Sequence, residues 1–262
     1  MSNTIEEIFK IDRVGKGIAV KILFAFLVML RIAVNVFPVG SSDFDNFISF
    51  YSRFAEDPSI AYTMDITDIP ISVDNLIYLG SLMLVEMICI VGYYIYVGIM
   101  IRYMRQGSES PRPISAGGLV LRLFILTGVS FVVFLPSAII LTIILLYLFL
   151  FFIIIFPWLF MYPACYLSGD SGFFMSFAEV YRKNRGYYFV NVRNLAVIML
   201  ASLILQAISM LIGEIYEPVA IVFDSFIYVF TLFCVARYSC LIYRRMIIAP
   251  MRRKGTIEPL NR

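Results

Sequence analysis

Long runs of apolar residues alternate with short charged segments along the whole chain of 262 residues. A helix needs about 20 apolar residues to cross the hydrocarbon core of a bilayer, at roughly 1.5 Å per residue. The first such run covers about 17–37 and the second about 76–101. A block of nearly fifty residues then extends from Leu119 to Leu167, too long for one crossing and suited to two. Pro136-Ser137 predicts the hairpin inside it, because proline disfavours helix at the residue before it. The resulting spans are 119–135 and 138–167, although a longer third helix kinked at Pro136 also fits. Pro157 and Pro163 predict kinks in the fourth span. A fifth span over 188–213, a turn over Glu214 to Pro218 and a sixth span over 219–243 complete the chain. The pattern predicts an all-α, polytopic membrane protein: one membrane domain over 1–262 with six transmembrane helices.

The segments between the runs carry patterns of their own. The acidic stretch 38–75 places Phe44, Phe47, Ile48, Tyr51 and Phe54 at helical spacing. That predicts either a short helix on the outer surface or a solvated loop that stays outside. At the N-terminus, Thr4 to Glu7 fits a capping box, with Ile5, Ile8, Phe9 and Ile11 opposed to Glu6, Lys10 and Arg13. Over about 171–186, Phe173, Phe174, Phe177 and Tyr181 oppose Glu179, Arg182 and Lys183, after a start at Ser168-Gly169-Asp170-Ser171. Both read as one or two interfacial amphipathic helices in the headgroup layer, or as plain connecting helices.

Composition agrees with the pattern. Apolar residues make up 61%, charged residues 15%, and the mean hydropathy is +0.89. A soluble domain is about half apolar and about a quarter charged, because its surface needs polar cover. Orientation follows from the basic residues, which stay on the cytoplasmic side during insertion. With both termini cytoplasmic, sixteen Lys and Arg fall inside and only Arg53 outside. The first apolar run contains Arg31 and ends in Pro38-Val39-Gly40, a poor cleavage site, so it is expected to stay attached as the first span. Tyr103, Trp158, Tyr162, Tyr187, Tyr188 and Tyr243 are placed for an aromatic belt at the inner boundary.

Charges at bilayer depth each need a reason. Lys21, Arg122, Arg193 and Arg237 lie close enough to the cytoplasmic ends to snorkel. Glu86 lies about ten residues into the second span, near mid-membrane. It must be protonated, paired or facing water, and Arg31 on the neighbouring span is its candidate partner. Asp224 is a third candidate member of that intramembrane site. Read functionally, the group is a proton or cation site; read structurally, it is a bond between helices. One deep carboxylate with no histidine relay favours the structural reading.

Chemistry is otherwise sparse. The chain has no histidine, and Cys89, Cys165, Cys234 and Cys240 lie in apolar stretches with no CxxC pair. They read as small hydrophobes. Neither a phosphate loop nor a nucleophile with its base is present, so no enzyme activity, cofactor or nucleic-acid partner is expected. Arg182, Lys183, Arg244, Arg245, Arg252, Arg253 and Lys254 are candidate contacts to anionic phospholipid at the cytoplasmic face.

Two stretches carry a family resemblance. In Tyr96 to Phe124 a span ends in Ile-Arg-Tyr-Met-Arg-Gln-Gly before a proline-containing loop. In Ser168 to Leu200 a small-residue start leads through an amphipathic segment and a basic-glycine end into the fifth span. The chain here resembles poorly characterised bacterial six-helix membrane families: the DUF4013-like and DUF975-like groups and the membrane domain of glycerophosphodiester phosphodiesterase-like proteins. The resemblance implies a multi-pass protein of the bacterial plasma membrane, without catalytic residues to carry over. The expected function is a non-enzymatic scaffold, partner subunit or envelope-assembly factor, with a protein partner or a second copy. The alternative is a small oligomeric transporter or channel using the Glu86 and Arg31 pair.

Overall fold

The computed structural model describes residues 2–13, 17–56, 70–105, 115–132, 157–184 and 186–245. Among them every regular element is helical. In chain order these are α1 (Ser2–Phe9), α2 (Ile18–Val36), α3 (Asp45–Glu56), α4 (Val73–Arg105), α5 (Ala116–Val132), α6 (Tyr162–Leu167), α7 (Phe173–Asn184), α8 (Tyr188–Ile215) and α9 (Glu217–Tyr243). Helices α2, α4, α8 and α9 are long and apolar enough to cross a bilayer, and α5 is a shorter apolar helix. The Pro136-Ser137 hairpin and most of the 138–167 span lie outside the described residues, as do Arg252, Arg253 and Lys254.

Local chemistry explains the helix ends. Pro38 stops α2 at Val36, since the residue before a proline is pushed out of the helical region. Helix α4 starts in a reciprocal cap: Asn75 N–H donates to Ser72 Oγ at 3.1 Å, and Ser72 N–H donates to Asn75 Oδ1 at 3.2 Å. The Asn75 amide also donates to the carbonyls of Ser41 and Asp43, stitching the loop that leaves α2 onto the first turn of α4. Gly40 makes this approach possible. Its φ is +91°, and a Cβ there would sit 2.3 Å from Asp74 O. The turn joining α8 to α9 is a single extended residue, Tyr216, shorter than the expected five-residue turn, with Pro218 in the first turn of α9. Helix α1 begins at Ser2, so Thr4 lies inside it and not at its N-terminal boundary.

Helix α9 is central and packs on α2, α4 and α8. Tyr96, Phe233, Tyr238 and Tyr243 are fully buried along that seam. Phe233 meets Phe24 edge-on, with ring centroids 5.6 Å apart, and tilts against Tyr96 at 4.8 Å. Away from α9 the helices expose hydrocarbon. On α2, Ile18, Ile22, Phe26 and Met29 form an exposed apolar stripe. Exposed apolar faces of this extent along several helices fit lipid, not water.

Helices α2 and α4 run antiparallel in a register set by three contacts. Leu27 covers Gly92, Arg31 meets Glu86, and Asn35 lies beside Leu82 in one niche. Val36 is therefore level with about residue 81, and the first two turns of α4 pack on the loop beyond α2. Glu86 lies about five residues, or roughly 8 Å, from the level where α2 ends. It is shallower than the ten residues expected from where the apolar run begins, because α4 starts before the stretch that α2 accompanies. The same pairings collect Asp43, Asp45, Asp74, Glu214 and Glu217 at one end of the bundle and Arg102, Arg105, Arg122, Arg244 and Arg245 at the other. Both described ends of the apolar block, Arg122 on α5 and Tyr166 on α6, lie together at the basic end, where Arg122 reaches the carbonyl of Tyr166.

The tight α2–α4 seam gives a direct test. A Cβ at Gly92 would come within 2.5 Å of the Leu27 side chain, whereas nothing lies within 4 Å of one at Gly80. Gly92→Val is expected to cost about 1–3 kcal/mol by overpacking. Gly80→Ala should be neutral or stabilising by up to about 1 kcal/mol through helix propensity. Thermal unfolding in detergent reads both; equal effects would contradict this packing.

Candidate functional site

Arg31, near the end of α2, donates through Nη1 to Glu86 Oε1 on α4. Tyr228 on α9 donates its hydroxyl to Glu86 Oε2, and its ring lies 3.6 Å from Arg31 Cζ. One carboxylate thus binds two helices, and the guanidinium is held by charge on one side and by a π face on the other. The Glu86 side chain keeps 30% of its exposure and Arg31 14%. The adjoining niche between Val34, Asn35, Leu82 and Val85 has a volume of about 20 Å³, room for about one water. Asp224 lies one helical turn from Tyr228 towards the acidic end. It forms no hydrogen bond or ion pair with Arg31 or Glu86, so the third member of the cluster is Tyr228.

A second polar cluster closes the basic end. The helix entering from Pro157 breaks at Phe160 and Met161 before α6, whose second residue is Pro163. Pro163 has no N–H to give to the carbonyl four residues back, so the break falls where the kink at Pro163 is expected; the kink expected at Pro157 involves residues outside the described ones. All six residues of α6 are buried. Irregular backbone in such a place must find partners within the protein. It does. Tyr93 OH donates to Phe160 O at 3.1 Å, and Asn184 Nδ2 to Pro157 O at 3.4 Å. Arg122 Nη1 donates to Tyr166 O at 2.6 Å and to Ser171 O at 2.7 Å. Arg105 Nη1 donates to Ser168 O at 3.0 Å, while its Nη2 pairs with Asp170. Tyr243 OH donates to the same Asp170 oxygen at 3.0 Å. Arg105 is 4% exposed, and the niche beside it holds only about 10 Å³.

Asparagines make a third cluster. Asn191 Nδ2 donates to Asn184 Oδ1, Tyr238 OH donates to Asn191 Oδ1 at 3.0 Å, and Asn194 Nδ2 donates to Tyr238 OH at 2.9 Å. These ties fasten α7 to α8 and α8 to α9 with no net charge.

The N-terminal segment forms the fourth. Ile8 is 1% exposed, and Arg237 on α9, buried at 5%, donates to the carbonyls of Glu7 and Arg13. Tyr96 OH donates to Ile11 O at 3.1 Å. Glu7 O belongs to the last turn of α1, where the helix dipole favours a cation.

Several expectations change accordingly. Arg237 and Arg122 do not snorkel: the chain folds over both and spends them on backbone carbonyls. Asp170 is not a cap for α7 but the ion partner of Arg105. Tyr162 and Tyr243 are buried in the bundle instead of standing in an aromatic belt. Phe173 turns inward against Tyr162 and Tyr166, away from the face shared by Phe174, Phe177 and Tyr181. Of the candidate lipid contacts, Arg182, Arg244 and Arg245 are exposed, and Lys183 is paired with Glu179 at 3.4 Å. The four cysteines are free and buried, as their apolar setting implied. What sequence reasoning missed was partnership across 65 or more residues, such as Arg105 with Asp170 and Tyr243. The available signal was the spacing of Asn184, Asn191 and Asn194.

These features define an all-helical protein with several long apolar helices, consistent with a multi-pass membrane protein. No protein-family model, curated protein or solved structure matches the chain.

Two substitutions separate a helix tie from an exposed acid. Glu86→Ala strands Arg31 and is expected to cost about 2–3 kcal/mol, less than a fully buried pair because part of the side chain is exposed. Replacing Arg31 and Glu86 together with leucine should restore most of that loss. Chemical denaturation in mixed micelles measures both, and a harmless Glu86→Ala would break the argument. Asp170→Ala, which leaves Arg105 buried without its carboxylate, should cost about 3–5 kcal/mol.

Proposed function

We propose that the chain is a six-span membrane protein with both termini in the cytoplasm, acting as a non-enzymatic scaffold, partner subunit or envelope-assembly factor. The observation that carries this reading is closure. Arg105, Arg122 and Arg237 are spent on a carboxylate and backbone carbonyls, Asn184 and Asn191 on a carbonyl and each other, and Arg31 holds Glu86 with only its Nε left over. The niches beside Glu86 and Arg105 are only about 20 and 10 Å³, about the room of one water each. A permeation path needs polar groups free to exchange partners with a solute. Arg31, Glu86 and Tyr228 instead bond three helices together. The resemblance to bacterial six-helix families supports a plasma-membrane location. The meeting of both described ends of the 119–167 block at the basic end supports an even number of spans.

The basic residues at one end of the bundle support the cytoplasmic assignment of that end. Because Cys89, Cys165, Cys234 and Cys240 are all buried, single cysteines placed on the surface report cleanly. Asp45→Cys should react with a membrane-impermeant maleimide on intact cells, and Arg182→Cys only after permeabilisation. The reverse pattern would sink the orientation. In sealed vesicles under a proton gradient, the protein should add no proton flux over protein-free controls. A flux abolished by Glu86→Gln would replace the scaffold with a transporter. Copurification in mild detergent should recover a stoichiometric partner or a second copy.

A further inference from the structure

Helix α7 has three faces, not two. Ser176, Val180 and Asn184 repeat every fourth residue and are fully buried. Glu179 and Lys183 pair with each other on a second face. The third face carries Phe174 at 83%, Phe177 at 43% and Tyr181 at 52% exposure, with Arg182 exposed beside it. A helix whose aromatic face is left bare while its small and polar face is buried is not merely a connector.

We propose that α7 lies in the headgroup layer of an anionic leaflet, with Phe174, Phe177 and Tyr181 in the acyl boundary and Arg182 on acidic headgroups. The inference rests on the reading of the chain as a multi-pass protein with its basic end in the cytoplasm. Three observations choose lipid over a protein partner. From Tyr181 the ring contacts run through Trp158 and Tyr188 to Phe189 at the start of α8, itself 83% exposed, whose helix goes on to expose Leu200, Leu203 and Leu211. The aromatic face is thus linked to a helix whose exposed face is apolar along its length. Arg182, Arg193 and Arg244, all exposed, give this end the charge that complements acidic headgroups. Bulky aromatics beside arginine are the composition of helices that lie in the interface plane. The buried face is fastened by Asn184 to Pro157 O and to Asn191, so α7 meets the bilayer already oriented.

The chain supplies its own probe. Trp158 is the only tryptophan, half-buried, with its ring 5.0 Å from Tyr181 and 6.1 Å from Tyr188. The purified full-length protein is reconstituted in phosphatidylcholine vesicles with or without phosphatidylglycerol, using lipids brominated either high on the acyl chain or near its end. Trp158 emission should fall more with the shallow label than with the deep one. It should also fall more when phosphatidylglycerol carries the bromine than when phosphatidylcholine does. Arg182→Glu should reduce that headgroup preference by about fivefold. Phe174→Asp, at a position 83% exposed that meets Phe173 edge-on, should weaken shallow quenching. Emission that no labelled lipid alters would mean that protein covers α7, either a partner or a second copy, and would overturn the proposal. Stronger quenching from the deep label, or an equal response to both headgroups, would also overturn it. Flotation of the vesicles after an alkaline wash reports membrane integration separately, so a failure of the multi-pass reading is distinguishable from a failure at α7.

Discussion

A carbonyl freed inside an apolar bundle has no water to turn to, and the architecture of the basic end follows from that constraint. The break at Phe160 and Met161 and the turn after α6 release backbone oxygens, and side chains of α4, α5 and α7 take them up. Arg105 and Arg122 grip the 166–171 turn from two helices. Without those two arginines the buried α6 would hold a turn of unsatisfied backbone, at a cost of several kcal/mol per group. The arginines that mark orientation in the sequence are thus also structural: their side chains hold the turn in place.

The two ends of the bundle solve the same problem in the same way. At the acidic end a charge pair, Arg31 with Glu86, is completed by Tyr228. At the basic end Arg105 and Asp170 are completed by Tyr243. Both tyrosines come from α9, so the last helix ties into each cluster. Between them the seam is aromatic and nearly dry. Helix α9 is the element on which the others converge, which explains why its inner half is buried along almost every residue from Phe233 to Tyr243.

Much of the fold was legible along the chain. The boundaries of α2, α8 and α9 differ from the apolar runs by only a few residues, because hydrocarbon thickness dictates their length and Pro38 and Pro218 punctuate them. The pair of Arg31 with Glu86 was also legible, since adjacent antiparallel spans bring similar depths together. The register of α4 against α2 was not legible. Apolar composition does not distinguish turns of α4 that face lipid from turns that pack on a loop. Tyr228 was invisible because a tyrosine in an apolar run looks like any other aromatic until its hydroxyl has a partner. Arg122 and Arg237 were misread for a related reason: proximity to a helix end is a local property, whereas being folded over by another segment is not.

The contact between Arg237 and the carbonyls of Glu7 and Arg13 joins residues more than two hundred positions apart in the chain. Helices α8 and α9 can pair as they emerge, through Ser202 with Thr231 and Asn194 with Tyr238. The segment ending at Arg13 must wait for a partner translated more than two hundred residues later. This contact therefore forms late in the assembly of the bundle, and until then the guanidinium of Arg237 has neither of the oxygens that receive it.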